Sequence, residues 1–365
     1  MKLIIAISFV ASLLATTSAV AKDRAGWRKS GDRIEIRTAD ISFSTVAGAA
    51  SLIKTDEFSH KGEGLDNVAQ YETPDRALFA TIYVYRPAYP DAALTAYETD
   101  RGIRARFGAT DFADSQVVAA PGHPDSVIRM VYPDGKTDAF NDGAPVATAA
   151  AFLRVSGWIV KLRVTAPAPR RADVVATIDA LIAGMKVGRK AHVFPAKMLR
   201  IAAPCPGSGS VAMPLPKSDK SAAGVLAAAM TSIVVSRDPT EENADLPPSF
   251  PDNGLQTACV RGKFAYGDGT IELLQSAGTA SPDTIVGLLN DAGTMIVLDR
   301  ALITPGYDLK MTQIGIADIY GSFDSVPSTA QIAELLSGKS APGGARRARV
   351  TFSADGNSKV ELEAD

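Results

Sequence analysis

Residues 149–164 read AAAFLRVSGWIVKLRV, and the fold turns on this stretch. Two runs rich in apolar residues, 149–155 and 158–164, flank Ser156-Gly157, a two-residue turn of the kind that joins antiparallel strands. That turn sets Val155 opposite Trp158 and Leu153 opposite Val160, and Leu162 and Val164 extend the same apolar face. Side chains alternate along a strand, so Arg154, Lys161 and Arg163 fall on the other face with Phe152 and Ile159. The three cations form a stripe, a candidate contact for anionic headgroups, polysaccharide or an acidic partner.

Strand signals precede the hairpin. RIEIR (33–37) alternates, and a second short strand follows at 41–46. LFATIYVY (78–85) is rich in β-branched and aromatic residues on both faces, as a covered central strand requires. A further strand spans 127–132 and ends at Pro133-Asp134-Gly135. Between them Pro90-Asp91 opens a helix to Phe107, with Ala93, Ala96, Tyr97, Ile103 and Phe107 at helical spacing and Gly108 past its end. After the hairpin, Val174, Val175, Ile178, Leu181, Ile182 and Met185 form one stripe on a helix over 172–185. Strands, a helix, antiparallel strands and a closing helix predict an α+β domain over 22–187, an antiparallel sheet with packed helices.

The element order resembles the Mog1/PsbP-like class, which includes exported bacterial proteins of the DcrB type. The resemblance rests on RIEIR, SFSTV, LFATIYVY, FLRVSGWIVKLRV and VVATIDALIAGM, and covers 27–187. It implies a small α+β domain from a functionally mixed, mostly non-enzymatic class. It implies no active-site residue.

The remaining chain reads as a Pro/Gly-rich linker over 188–222 and a second, strand-rich α+β domain over 223–365. An Ala-rich helix is expected over 221–233 and an acidic, Pro-rich loop over 238–253. A hairpin turns at Gly267-Asp268-Gly269, strands follow at 294–299 and 308–320, and Ser328 with Gln331 forms a capping box. Strands at 347–352 and 360–362 close the chain.

The first 21 residues, MKLIIAISFVASLLATTSAVA, read as a cleavable secretory signal. Lys2 supplies the positive start, residues 3–14 the apolar stretch, and Ala19-Val20-Ala21 the cleavage pattern, with Lys22 as the new N-terminus. The expected location is the periplasm or the exterior of a bacterial cell. Two cysteines, Cys205 and Cys259, are then expected to form a disulfide, closing a loop of about 55 residues worth about 4 kcal/mol in the chain-entropy model. The net charge of −2 draws the chain to neither nucleic acid nor anionic membrane, and no later segment reads as a membrane span.

No cofactor, metal or catalytic motif stands out. His60, His123 and His192 are isolated, and no pair has the spacing of a helical zinc site. Asp238, Glu241, Glu242 and Asp245 lack the calcium-loop pattern. Gly338-Lys339-Ser340 follows a helix, whereas a phosphate-binding loop precedes one, and Ala333 stands where its first glycine belongs. No G-x-S-x-G elbow occurs. Arg101, Arg104 and Arg106 on the first helix, and Arg346, Arg347 and Arg349 near the end, are further basic clusters. The expected function is a non-catalytic binding or interaction module of the cell envelope, its ligand or protein partner unidentified. The alternative is an envelope hydrolase whose carboxylates assemble in an inter-domain cleft.

Overall fold

The computed structural model describes residues 26–59, 63–108, 114–136, 144–202, 205, 227–229, 231, 257–267, 269–277, 283–289, 294–301, 306–337 and 346–362. The signal-like leader, His60, the acidic stretch 238–253, Gly338-Lys339-Ser340 and most of the expected helix at 221–233 lie outside the described residues.

The chain is mostly β. Among the described residues its strands form sheets of four, eight and nine members, and the eight-stranded sheet is a half-barrel. This overturns the expected α+β class, a helix-packed antiparallel sheet followed by a second α+β domain. The expectation failed because polar strands carry no apolar alternation. ASLIKTDE and DSQVVAA pair into the sheet through their backbones while exposing much of their side-chain surface.

The eight-stranded sheet runs, edge to edge, through β4 (Val46–Ala47), β5 (Ala50–Glu57), β6 (Asp66–Glu72), β7 (Phe79–Tyr85), β11 (Trp158–Pro167), β10 (Val146–Val155), β9 (His123–Gly135) and β8 (Asp114–Ala120). The hairpin at 149–164 sits at its middle with Val155 paired to Trp158 and Leu153 to Val160. The four-stranded sheet is β1 (Arg28–Ser30), β2 (Arg33–Ile36), β3 (Ile41–Ser44) and β12 (Lys186–Val187). The nine-stranded sheet follows chain order: β13 (Arg200–Ile201), β14 (Thr257–Tyr266), β15 (Gly269–Ser276), β16 (Thr284–Leu288), β17 (Met295–Arg300), β18 (Tyr307–Gln313), β19 (Ile316–Phe323), β20 (Ala348–Phe352) and β21 (Ser358–Leu362). The single strand expected over 308–320 is therefore two. Gly315 breaks it with a φ of +74°, and a Cβ there would lie 2.7 Å from Leu65 Cδ1.

Helices α1 (Ala92–Phe107), α2 (Arg171–Gly184) and α3 (Thr329–Leu336) pack on the sheets. Leu153, Val155, Val160, Leu162 and Val164 pack with Val174, Ile178 and Leu181 of α2 and with Ile34, Ile36 and Phe43 of the small sheet. The other hairpin face, Phe152 and Ile159, packs with Ala96, Ile103 and Phe107 of α1. The far side of α1 does not meet solvent. Leu94, with Tyr89 just before the helix, packs against Leu274, Val286, Met295 and Val297 of the nine-stranded sheet. A helix with apolar residues on two sides is what two facing sheets require. Asp91 caps it by accepting from the amides of Ala93 and Leu94 at 2.8 and 3.0 Å. The other face of the nine-stranded sheet buries Ile332 and Leu335 of α3, whose Ser328–Gln331 capping box is formed.

Polar contacts lock the two large sheets together. Arg86 donates from Nη1 to the carbonyls of Ser353 and Ala354, each at 2.9 Å. The amide of Ala88 donates to Gln313 O and that of Gly315 to Arg86 O. Tyr97 of α1 donates its hydroxyl to Glu272 at 2.7 Å. Cys205 and Cys259 form a disulfide with Cα atoms 5.2 Å apart, tying the segment after β13 to β14 at one end of the nine-stranded sheet. No described helix is long and apolar enough to cross a membrane.

Candidate functional site

The segment 186–194, whose residues from 188 on read in sequence as the start of a linker, is a strap between two hairpin turns. Lys186 and Val187 pair with Ser42 and Ile41. The Gly188 amide then donates to Asp40 O at 2.7 Å, and the Lys190 amide to Asp40 Oδ2 at 3.3 Å. Beyond it the His192 amide donates to Ser156 Oγ at 3.1 Å, the Ser156 amide returns a bond to His192 O at 2.6 Å, and Val193 bridges Val155. Phe194 seals the end, with the Arg154 guanidinium 3.7 Å above its ring and the His192 ring edge-on at 4.4 Å.

Both anchoring residues hold left-handed backbone, Asp40 at φ +53° and Ser156 at φ +49°. Non-glycine residues reach that region at a cost of about 1–2 kcal/mol, least for Asp and Asn, and persist there when surrounding contacts over-determine them. Gly188 is fixed by the same closeness. A Cβ there would lie 1.9–2.0 Å from the Asp40 carboxyl group.

The strap forms one wall of a cleft of about 950 Å³. The β2–β3 turn (residues 37–40) and the Ser156-Gly157 turn flank it, and the turn Ala354-Asp355-Gly356 between β20 and β21 closes it from the second half of the chain. Five cations line the cleft, Arg37, Arg86, Lys186, Arg189 and Lys190, against three carboxylates, Glu35, Asp40 and Asp355. Lys186, Arg189 and Lys190 are exposed, and among the described residues none of them forms an ion pair. Arg37 pairs with Glu35 at 3.0 Å. Arg86 is mostly buried, and loss of water pulls its guanidinium below the ordinary arginine range.

Two of the carboxylates are held by local bonds. Asp40 receives the Lys190 amide. Asp355 is held below the ordinary carboxylate value by hydrogen bonds, first from the Ser353 hydroxyl, then from the Asn357 amide and side chain. The cleft wall carries the hydroxyls of Thr38, Ser42 and Ser156, and the Ser156 oxygen accepts from the backbone amide of His192. A basic wall on a pinned segment, with acidic groups engaged locally, is a geometry for holding negative charge.

The cation stripe inferred from the hairpin is placed elsewhere. Arg154 stacks on Phe194. Lys161 is only 5% exposed and lies 5.5 Å over the Tyr83 ring, and Arg163 lies 5.9 Å from the Phe107 ring. They share a sheet face, but α1 and the strap cover it. The other basic clusters are engaged too. Arg101 meets Glu98 and Glu272, Arg104 meets Asp100, and Arg349 grips Asp318 with two bonds of 2.7 and 2.8 Å. His123 opens β9 and His192 belongs to the strap. The strap cations were missed by sequence reasoning. Their signal was the run Lys186-Val187-Gly188-Arg189-Lys190 directly after a helix.

No family model matches the sequence, and no curated protein matches it. A crystal structure of a Bacteroides thetaiotaomicron VPI-5482 protein aligns over 56% of this chain and 60% of its own length, at 8% identity and a TM-score of 0.25. This chain thus spans about 60% of the length of that neighbour.

Proposed function

We propose that this protein is a non-catalytic binding module of the bacterial cell envelope, and that the cleft beside the 186–194 strap takes an anionic ligand. The carrying observation is the strap itself: three exposed cations that form no ion pair among the described residues, on a backbone pinned at both ends. Pre-organisation of this kind lowers the ordering cost of binding. The disulfide supports a working place in an oxidising compartment, the periplasm or the cell exterior. Against the hydrolase alternative stand the cleft carboxylates, of which Asp40 and Asp355 are engaged by amides and a hydroxyl. General acid catalysis calls for a carboxyl held above its ordinary value, and Asp355 is held below.

The test is a titration followed by tryptophan fluorescence, since Trp158 lines the cleft. Inorganic polyphosphate and a polyuronate of matched length serve as probes, so that phosphate and carboxylate ligands are told apart. Binding is expected to weaken with salt and to fall about tenfold in the double variant Arg189→Ala/Lys190→Ala. Binding that ignores this double change, or no binding of either anion, refutes the reading.

A further inference from the structure

Strand β21 is the outer strand of the nine-stranded sheet. It pairs with β20 so that Val360 lies opposite Val350 and Leu362 opposite Ala348. Val350 and Ala348 are fully buried with Ala88, Ala317 and Ile319. Val360 and Leu362 continue that apolar face, yet they are 37% and 56% exposed. On the other face Lys359 and Glu361 stand in solvent, 2.7 Å apart.

The backbone has the same polarity. The Phe352 amide donates to Gly315 O, so the even-numbered residues of β20 turn their peptide groups toward β19. Antiparallel ladders alternate, so Arg349 and Thr351 turn toward Glu361 and Lys359 of β21. The peptide groups of Val360 and Leu362 therefore aim outward, along the sheet edge.

We propose that a second copy of this chain closes this edge, pairing β21 with β21 antiparallel about a two-fold axis at Val360. The central Lys359-Val360-Glu361 of the strand is self-complementary about Val360. In that register Val360 meets Val360 of the second copy through its outward peptide groups. Lys359 faces Glu361 of the second copy, and Glu361 faces the opposing Lys359. These fall at the close, non-hydrogen-bonded positions, where cross-strand ion pairs form best. Neighbouring registers are disfavoured. Centring on 359 sets lysine on lysine, and centring on 361 sets glutamate on glutamate, both destabilising when directly opposed. The apolar face would run on across the axis, giving the isologous contact that two-fold dimers use. The competing occupant is water: charged residues on an edge strand also serve to keep other strands away.

Sedimentation velocity over a rising concentration series decides between them. The expected result is a monomer that converts to dimer in the micromolar range, as a small interface allows. Lys359→Glu sets glutamate against Glu361 at both symmetric positions and should raise the dissociation constant about tenfold. The swap Lys359→Glu/Glu361→Lys restores opposite charges and should restore the dimer. Val360→Pro removes the outward amide at the axis and should abolish it. These side chains are exposed, and thermal melts confirm that each variant stays folded. A monomer at every concentration, or a dimer indifferent to Lys359→Glu, overturns the proposal and leaves β21 as a guarded edge.

Discussion

Replacing Gly188 with alanine tests whether the strap is held as tightly as its bonds imply. The new methyl would lie 1.9–2.0 Å from three atoms of the Asp40 carboxyl group, far inside van der Waals contact. The carboxylate can turn away only by releasing the Lys190 amide, while the Asp40 carbonyl still holds the Gly188 amide at 2.7 Å. Turning the carboxylate away forfeits the Lys190 hydrogen bond and so costs roughly 1 kcal/mol. Asp40→Gly supplies the control. It loses one hydrogen bond, worth roughly 1 kcal/mol, and relieves a left-handed backbone at φ +53°, worth about the same. The single change is therefore nearly neutral. In the double variant the methyl has nothing to strike, so its penalty should disappear and the two changes should be non-additive by roughly 1 kcal/mol. Urea unfolding followed by near-ultraviolet circular dichroism measures all four corners, with the midpoint read at constant slope. Gly188→Ala should also weaken polyphosphate binding, because it disturbs the backbone presenting Arg189 and Lys190. A stability unchanged within about 0.5 kcal/mol in Gly188→Ala, or penalties that simply add, would show that the strap yields freely.

Glu272 makes the clamp between α1 and the nine-stranded sheet sensitive to acid. Burial pushes its carboxyl up, but Lys263 at 2.7 Å, the Tyr97 hydroxyl and Arg101 together hold it below its ordinary value. A depressed folded-state value stabilises above the unfolded value, and that stability is lost as pH falls through the folded one. Glu272→Gln should therefore destabilise the protein by roughly 2 kcal/mol at neutral pH, with the gap closing as pH drops below 4.5. A gap constant from neutral to acid pH would contradict the assignment. The disulfide spans a sequence separation of 54, worth about 4 kcal/mol in the chain-entropy model. Reduction, or Cys205→Ser with Cys259→Ser, should lower the unfolding midpoint accordingly. A melt that reductant leaves in place would rule out that contribution.

Where the apolar pattern is strong, the sequence states the structure. Val155 and Trp158 flank the turn, Asp91 caps its helix, Ser328 and Gln331 form their box, and the two cysteines bond. Each of these is local, or depends on one compartment rule. What the sequence conceals is pairing among polar strands. Strands β5, β6 and β8 join the first sheet through backbone bonds that any residue but proline can make, and no clear side-chain alternation announces them. The class was misjudged for that reason.

The cations show the same limit from the other side. Arg154, Lys161 and Arg163 alternate in sequence as an exposed stripe would. A sheet face, however, is exposed only if nothing packs on it, and the distant helix α1 covers this one. The strap reverses the case. Lys186, Arg189 and Lys190 share no periodicity and border a Pro/Gly-rich stretch, yet they become a wall because Asp40 and Ser156, 150 and 36 residues away, receive the amides of Lys190 and His192. A binding surface of this kind is defined by which backbone groups hold a segment still. Those groups come from turns far apart in the chain, and the local trace of the arrangement is the run Lys186-Val187-Gly188-Arg189-Lys190 after a helix, its glycine set against the Asp40 carboxylate.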